Sequence, residues 1–482
     1  MLGSVTYAYN NKYSVSFNIR SDINSRNLAD SVEVEANILR MQDFEIVKPG
    51  KWNASYGVRA AWQLSEEQFF KGSAAVTNLS LHVAYGLANN DGGYFPGRIY
   101  PYYWAPNPAF NGFNPDEDFV SSLFSEGGSN VRNLWYSEPE KTSEIEVGVN
   151  LSLYNKVFLN GNYFSRNTTN ILMPDMSDSL SYKNFGELGT SGVELGFQTL
   201  NVTTKAFSWI TMLNFTKYMQ SVETVGDSYG QYQIGYNGNS NIIKEGEPLY
   251  AFWGYETEGL FQNEGEVASH ATQQGAAPGD IRYKNLDGNN VIDENDKTII
   301  GDPNPDYMVG FNNIFKVSNF ELSVLFYAVM GQDILNLTRM QTEGLNSYYN
   351  QSETALERWS GEGTSTTIPR ASTRNMNNTL VSDRFIEDGS YIQLKNVTLA
   401  YYVPRKWIRN ADLGQFKVFL TAQNILYITD YTGYDPQISS MGPLNIDYGA
   451  YPNPRYFWRW PFHLFFNSQS AITKETNYDG SN

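Results

Sequence analysis

Cysteine is absent from the chain, and histidine is limited to His82, His270 and His463. These absences exclude a disulfide framework, a cysteine-based zinc or iron–sulfur site and a thiol nucleophile. Basic residues are also scarce, with 34 Lys and Arg against 51 Asp and Glu, which argues against nucleic acid as a partner. No GxSxG, P-loop or HExxH pattern occurs, so the sequence does not predict an enzyme.

Long apolar runs are missing as well. No stretch of about 18 apolar residues occurs and the mean hydropathy is -0.44, so the sequence predicts no transmembrane helix. A strand that alternates apolar and polar residues averages out as polar, so these values do not exclude membrane-crossing strands.

The chain is instead rich in aromatic residues and in period-2 alternation. Aromatics make up 15% of it, and apolar residues recur at every second position along short segments. These segments centre on Val5–Tyr9, Tyr13–Ile19, Leu79–Tyr85, Ile145–Leu151, Val157–Tyr163, Val193–Phe197, Trp209–Phe215, Tyr307–Phe315, Phe320–Phe326, Ile392–Leu399 and Phe416–Leu420. A last one near 455–466 makes twelve, and the sequence predicts a dozen to roughly 13 antiparallel strands and an all-β fold.

The lengths of the connections alternate. Short links at 10–11, 155–156, 201–205 and 317–318 alternate with long ones at 21–51, 87–143, 166–191, 218–305, 331–390 and 429–454. A transmembrane barrel has short periplasmic turns and long extracellular loops, and aromatic strand ends are typical of it. A soluble all-β protein would have similar apolar rows in each strand, so the rows alone do not separate the two folds. The alternation of connection lengths does, and it favours the membrane barrel.

Seven stretches carry a resemblance to a known family. They read AAWQLSEEQFF (60–70), NFGELGTSGVELGF (184–197), GEPLYAFWGYETEGLFQ (246–262), PGDIRYKNLDGNNVIDENDKTIIGDPNPDYMVGFNNIF (278–315), FIEDGSYIQLKNVTLAYYVP (385–404), TAQNILYITDYTGYDPQ (421–437) and DYGAYPNPR (447–455). In this order they resemble the SusC/RagA family of TonB-linked outer-membrane proteins.

The resemblance implies a fold and a function. Members have a plug domain followed by a 22-strand transporter barrel, and are about twice this length, so residues 1–466 would be the C-terminal part of the barrel. It also implies uptake of glycans or peptides across the outer membrane of a Bacteroidetes-like Gram-negative cell. A SusD-like surface lipoprotein and the TonB complex, reached through the N-terminal region, would be the partners, and outer-membrane lipid would surround the strands.

The resemblance breaks after Arg455. The text YFWRWPFHLFF is followed by an atypical polar tail at 467–482, and Pro461 lacks the N–H that a paired strand needs. A frameshift near this point would explain both features. Unpaired first and last strands are not tolerated in lipid, so this chain is expected to be inactive by itself.

One segment has the spacing of metal ligands. Side-chain oxygens stand at positions 1, 3, 5, 9 and 12 of a twelve-residue loop, and position 7 offers a carbonyl. The ligands would be Asn285, Asp287, Asn289, Val291, Asp293 and Asp296. Asn290 stands at position 6, where a left-handed residue is needed. Calcium of low affinity is one interpretation; an Asp/Asn turn that binds nothing is the other, and no cofactor is required.

Two further groups of residues are candidates for a function. Tyr102, Tyr103, Trp104 and Phe110, in the second long loop, could stack on sugars or peptides, or could fold the loop on itself. The paired carboxylates at Glu66-Glu67 and Glu144/Glu146 are better explained as solvated loop or lumen charges than as acid/base catalysts. A soluble or surface-attached all-β binding module for glycans or proteins is the alternative function.

Overall fold

The structure, a computed structural model, describes residues 2–23, 52–70, 73–90, 139–175, 181–226, 231–373, 377–408, 413–437, 439–440 and 442–466. The strands of this part are β1 Leu2–Tyr9, β2 Tyr13–Ile23, β3 Trp52–Gln63, β4 Val76–Asn90, β5 Glu140–Leu153, β6 Val157–Asp175, β7 Ser181–Thr203, β8 Phe207–Thr224, β9 Gln231–Ile234, β10 Asn241–Lys244, β11 Ala251–Tyr255, β12 Thr257–Leu260, β13 Ile281–Tyr283, β14 Lys297–Gly301, β15 Tyr307–Val317, β16 Phe320–Met330, β17 Asp333–Asn336, β18 Ile386–Asp388, β19 Tyr391–Tyr402, β20 Leu413–Thr429, β21 Ile446–Asp447 and β22 Tyr456–Phe466.

Helices are short. The α-helices are α1 Glu264–Ser269, α2 Leu337–Glu343 and α3 Arg405–Ile408. Single 3-10 turns occupy Leu64–Glu66, Gln68–Phe70, Tyr236–Gly238, Glu294–Asp296, Glu353–Glu357, Asn377–Thr379, Asp383–Phe385 and Gly442–Leu444. Among the described residues, none of the helices has the length and apolar character needed to cross a membrane.

Thirteen strands form one antiparallel sheet, which confirms the predicted all-β fold and strand number. Their order is β1-β2-β3-β4-β5-β6-β7-β8-β15-β16-β19-β20-β22, so every strand pairs with the next sheet strand along the chain. The apolar rows predicted from the sequence lie on one face and stay exposed: Val147, for example, is 52% exposed.

The residues on the opposite face of the sheet are polar or small. One row across neighbouring strands reads Asn150, Asn160, Gly196, Asn214 and Gly310. Gly196 leaves room there for the Asn160 amide, which a Cβ at this position would force to move. The sheet is therefore apolar outside and amide-lined inside, as expected for the wall of a barrel.

The connections follow the predicted short/long alternation with one correction. The link predicted as a long loop at 166–191 consists mostly of strand, because β6 continues to Asp175 and β7 begins at Ser181. Backbone pairing continues through this overhang, with register shifts beside Asn170, a residue at φ 58°. The two strands therefore extend beyond the apolar rows as a hairpin.

The last strand is present despite Pro461. The pairing of β20 with β22 shifts register between Lys417/His463 and Phe419/Trp460, so Pro461 falls within the irregularity. A bulge accommodates a residue that cannot donate a hydrogen bond. The predicted tail at 467–482 lies outside the described residues, as does the second long loop.

Three long connections fold together at one end of the sheet. We call their described parts the cap, which comprises residues 225–306, 331–390 and 430–455. The cap contains a four-stranded sheet (β14-β11-β10-β9), a two-stranded sheet (β12-β13) and a three-stranded sheet (β18-β17-β21).

Candidate functional site

A shared hydrophobic core holds the cap together. Its members come from all three connections: Phe252 from the first, Leu335, Leu337, Met340 and Phe385 from the second and Ile446 from the third. Because each connection buries apolar side chains against the other two, none of them can move as an independent loop.

Buried polar contacts add to this core. The Asp280 carboxylate, in the first connection, is fully buried and accepts hydrogen bonds from Arg370 of the second at 2.8 and 3.0 Å. Asn378 Nδ2 donates to the same carboxylate at 3.2 Å. The third connection is attached by Asn241 Nδ2, which donates to the Leu444 carbonyl at 3.2 Å. A buried carboxylate is stable only when it is paired in this way.

Between these elements lies a cleft of about 810 Å³, which we call the cap cleft. The three connections contribute its walls: Thr257, Gly259, Leu260 and Ile281; Asn336, Thr338, Arg339, Thr342, Glu343, Ser352, Thr354, Thr366, Thr367, Ile368 and Arg384; Thr432, Gly433, Tyr434 and Asp447. A concave site of this size, made of convergent polar side chains, is the best candidate for ligand binding among the described residues.

Two glutamates compensate the two arginines of the cap cleft. Glu343 Oε2 accepts hydrogen bonds from Arg339 Nε at 3.1 Å and from Arg384 Nη2 at 3.3 Å. Arg339 Nη1 also donates to Glu387 Oε1 at 3.0 Å. Burial lowers the pKa of Arg384. Burial also acts to lower the pKa of Arg339, but Glu387 and Glu343 outweigh this effect, so the pKa of Arg339 is raised. Two cations and two carboxylates therefore form one neutral cluster.

The loop predicted as a calcium site uses its oxygens internally. Asn285 Oδ1 accepts from the Gly288 N–H at 2.8 Å, and Asp287 Oδ1 from the Asn289 N–H at 2.9 Å. Asp293 and Asp296 form a reciprocal capping box on the 3-10 turn that follows. Asn289 Oδ1 accepts from the Val291 N–H at 2.7 Å.

Two other features of this loop bear on the metal interpretation. Asn290 has φ 62°, the left-handed conformation expected at position 6. In the part of the chain that the structure describes, His, Asp and Glu side chains form no cluster of three or more with metal-binding geometry. These contacts show the turn role, and calcium binding stays a prediction.

Among the described residues, none of the glutamates singled out from the sequence lines the cap cleft. Tyr102, Tyr103, Trp104 and Phe110 lie outside the described residues. Glu144 accepts from Arg166 Nε at 2.7 Å and Glu146 contacts His82 Nε2 at 2.9 Å, both on the polar face of the sheet.

Glu67 lies at the short-turn end of the sheet. It accepts from Lys12 Nζ at 2.8 Å, Tyr13 OH at 2.7 Å and Trp62 Nε1 at 3.2 Å. These donors, Lys12 first, hold the pKa of Glu67 at about 2. Each of these three glutamates thus has a structural partner.

No pattern in the sequence predicts the cap cleft. Its walls come from irregular segments whose side chains meet only in the folded cap. The one local signal is the run Thr364, Ser365, Thr366, Thr367, a hydroxyl cluster within the second connection.

Comparison with known proteins extends these observations. No protein-family model matches the chain. It is 28% identical to TonB-dependent receptor P3 of Formosa agariphila, over 95% of this chain and 44% of that protein. It is 23% identical to TonB-dependent receptor SusC of Bacteroides thetaiotaomicron, over 94% of this chain and 42% of that protein. The chain thus spans about half the length of the curated relatives it matches.

A solved structure shows the same fold. The chain superposes on one described as the structure of the RagAB peptide transporter with a TM-score of 0.68 and 19% identity, covering 95% of this chain and 46% of that one. The resemblance predicted from the seven sequence stretches, and the transporter-barrel fold that it implied, are both confirmed.

Proposed function

We propose, from the similarity of this chain to TonB-dependent receptors of the SusC/RagA type, that it forms part of the wall and the outer cap of an outer-membrane barrel that imports large nutrients. One observation carries the proposal: among the described residues, a sheet that is apolar on its outer face and polar on its inner face holds a folded cap at one end and short turns at the other. This is the organisation of a barrel that faces lipid outside and a solute path inside.

Aromatic pairs support the position of the sheet in a bilayer. Trp209 stacks on Phe315 at 5.7 Å and Phe320 contacts Tyr401 at 4.8 Å near the short-turn end. Phe215 stacks on Tyr307 at 5.8 Å towards the cap. Trp209 and Phe215 are six residues apart, roughly 20 Å along a strand. Two such levels fit the aromatic girdles that flank an apolar band.

The sheet has two open edges among the described residues, at β1 and β22. An open edge in lipid leaves backbone groups without partners. We propose that the complete barrel contains strands in addition to these thirteen, in keeping with the greater length of the relatives.

The partners follow from the same similarity. We propose that a SusD-like surface lipoprotein docks on the cap side and that the TonB complex supplies energy from the periplasmic side. The cargo is a glycan or a peptide; the RagAB structure is named as a peptide transporter, whereas the other relatives carry no cargo in their names.

The alternative, a soluble or surface-attached binding module, conflicts with the outer face of the sheet. A β-sandwich covers such a face with a second sheet, but the described residues supply no layer over Val147, Phe311 or Leu420. An apolar face of this extent calls for lipid or another apolar layer.

Fractionation of cells that make the native gene product tests the proposal. We expect the native product, with the additional barrel strands proposed above, in outer membranes that have been washed with urea, as a species whose electrophoretic mobility changes on heating. Recovery in the soluble fraction would overturn the transporter assignment and favour the binding module.

A further inference from the structure

The cap cleft is rich in hydroxyl groups, and five of these groups already donate their protons within the protein. Eight of its nineteen lining residues are Ser or Thr. Thr257 Oγ1 donates to Asp383 Oδ1 at 2.7 Å, and Thr342 Oγ1 to the Thr338 carbonyl at 2.9 Å. Each hydroxyl has a single proton, so these groups can offer a ligand only their oxygen lone pairs.

Two more hydroxyls form a hydrogen-bonded chain that ends on Glu343 of the ionic cluster. Thr354 Oγ1 donates to Glu343 Oε1 at 3.3 Å, which commits its proton. Ser352, whose hydroxyl contacts that of Thr354, must therefore be the donor in their mutual hydrogen bond. Glu343 orients both hydroxyls, and Ser352 and Thr354 face the cleft as acceptors.

The third connection repeats the pattern. Thr432 donates its hydroxyl proton to Glu387 at 2.8 Å and its backbone N–H to the same carboxylate at 2.9 Å. Thr432 therefore also presents an oxygen to the cleft. Five hydroxyls from three connections thus donate their protons to the protein and present acceptor oxygens to the cleft. They match a ligand that donates many hydrogen bonds.

The charged groups of the cleft do not favour an ionic ligand. Both guanidinium groups are engaged, Arg339 by Glu343 and Glu387, and Arg384 by Glu343 and the Thr367 carbonyl. An anion would meet acceptor oxygens and two cations that are already neutralised. A cationic ligand would face those same two guanidinium groups, and the Asp447 carboxylate in the wall already accepts from Tyr431 OH at 2.6 Å and from the Ala450 N–H at 2.9 Å. A buried polar group that is left unpaired by a mismatched ligand lowers affinity.

A flat platform completes the cleft. Tyr434 lines it and is 74% exposed, so the face of its ring is available to a ligand. An exposed tyrosine ring provides apolar contact area together with a polar hydroxyl. The apolar side chains of Leu260, Ile281 and Ile368 line other parts of the wall.

We propose that the cap cleft binds a segment of a neutral oligosaccharide, with sugar hydroxyls donating to the oriented Ser and Thr oxygens and a sugar face stacking on Tyr434. This proposal rests on the proposed function and narrows its cargo from glycans and peptides to uncharged, hydroxyl-rich chains. The cleft thereby selects against sulfated or carboxylated glycans. It favours neutral sugars over peptides because a sugar unit offers several hydroxyl donors, whereas a peptide backbone offers one N–H per residue.

Calorimetric titration of the receptor, purified in detergent from native outer membranes, tests the proposal. The probes are neutral gluco-, manno-, xylo- and galacto-oligosaccharides of six units, oligogalacturonate, a sulfated galacto-oligosaccharide and a mixture of uncharged hexapeptides. We expect at least one neutral sugar to bind about tenfold more tightly than every charged or peptide probe.

Variants connect binding to the cleft. We expect Tyr434→Ala to weaken neutral-sugar binding about 3- to 10-fold, and Tyr434→Phe to retain it, because the stacking face is kept. Tyr348→Ala is the matched control, since Tyr348 is 96% exposed on the second connection and does not line the cleft.

Every other result overturns the inference: tighter binding of a charged glycan or a peptide, binding that Tyr434→Ala leaves unchanged, or no binding by any neutral probe. The membrane location is measured separately by fractionation. A receptor found in the outer membrane that binds only peptides would refute the sugar cleft and leave the import proposal intact.

Discussion

Glu343 is the residue on which the charges of the cap depend. Its side chain is 7% exposed, and its carboxylate accepts hydrogen bonds from two guanidinium groups and a threonine hydroxyl. Removing its charge leaves Arg339 and Arg384 close together with insufficient compensation. Loss of one partner from a buried ion pair costs roughly 3 kcal/mol.

We therefore expect Glu343→Gln to destabilise the cap by about 3 kcal/mol. The measurement is the urea concentration at which a protease begins to cut the cap of the membrane-embedded protein. Glu353→Gln, on the exposed side of the neighbouring 3-10 turn, is the control and should leave that concentration unchanged. An equal effect of the two variants would show that the cluster has no special role.

Glu67 gives a pH dependence at the other end of the sheet. Hydrogen bonds from Lys12, Tyr13 and Trp62 lower its pKa from 4.5 to about 2 in the folded protein. A group with a depressed pKa contributes stability that is present above the unfolded pKa and is lost as the pH falls through the folded value. The contribution should therefore fade between about pH 4.5 and 2.

In the Glu67→Gln variant this acid dependence should be absent, because glutamine does not titrate. The readout is the difference between parent and variant in tryptophan fluorescence during acid titration, since Trp62 donates to Glu67. Parallel titration curves for the two proteins would contradict the assignment.

The Asp/Asn loop yields a metal prediction. If the loop binds calcium, its side-chain oxygens coordinate the ion instead of accepting from backbone N–H groups. Two of the ligands are Asn, so the negative charge of the ligand set is low. We expect a dissociation constant on the order of 0.1–1 mM. Calcium-dependent protection of this loop from proteolysis should appear in the parent and disappear in Asp287→Asn. Protection that is equal in both proteins, or absent from both, would leave the loop as a turn only.

At the scale of the strand, the two faces of β5 predict opposite responses to charge. Val147 faces outward and Asn150, on the same strand, faces inward. A lysine on the lipid face near the middle of the bilayer costs roughly 2–4 kcal/mol, whereas the lumen tolerates charge. We expect Val147→Lys to reduce the yield of heat-modifiable protein in the outer membrane and Asn150→Lys to keep it. A similar yield for the two variants would contradict the assigned faces.

The strands could be predicted from the sequence because one face of each contacts an apolar environment. Rows such as Ile145, Val147 and Val149 follow period 2 with no need for tertiary information. The hairpin extension of β6 and β7 could not be predicted, because residues 166–191 are typical of a loop in composition. The contacts that order it, such as Met173 with Tyr232 of the cap, form only in the folded protein. Pro461 argued against a last strand, but the bulge in the β20–β22 pairing accommodates it.

The cap could not be derived from periodicity. Its core joins Phe252, Phe385 and Ile446, which are far apart in sequence and lie in segments without a regular pattern. The family resemblance located several of these segments, including 246–262 and 385–404, but gave no geometry. The cap cleft arises only when the three connections pack together.

At the scale of the whole molecule, the central claim is a sheet that crosses a membrane with its cap outside. The apolar outer face, the amide-lined inner face and the concentration of folded loops at one end are explained together by this placement. In the proposed placement, the cap cleft lies on the outside of the cell and the turn at 204–206 on the periplasmic side.

The absence of cysteine allows the most direct test of this claim. Single substitutions Tyr348→Cys in the cap and Lys205→Cys in the β7–β8 turn place one thiol at each end of the sheet, both at exposed positions. Intact cells are treated with a membrane-impermeant maleimide, and lysed cells serve as the control for reactivity. The account predicts that Tyr348→Cys is labelled in intact cells and Lys205→Cys only after lysis; labelling of both thiols in intact cells, or of Lys205→Cys alone, would contradict it.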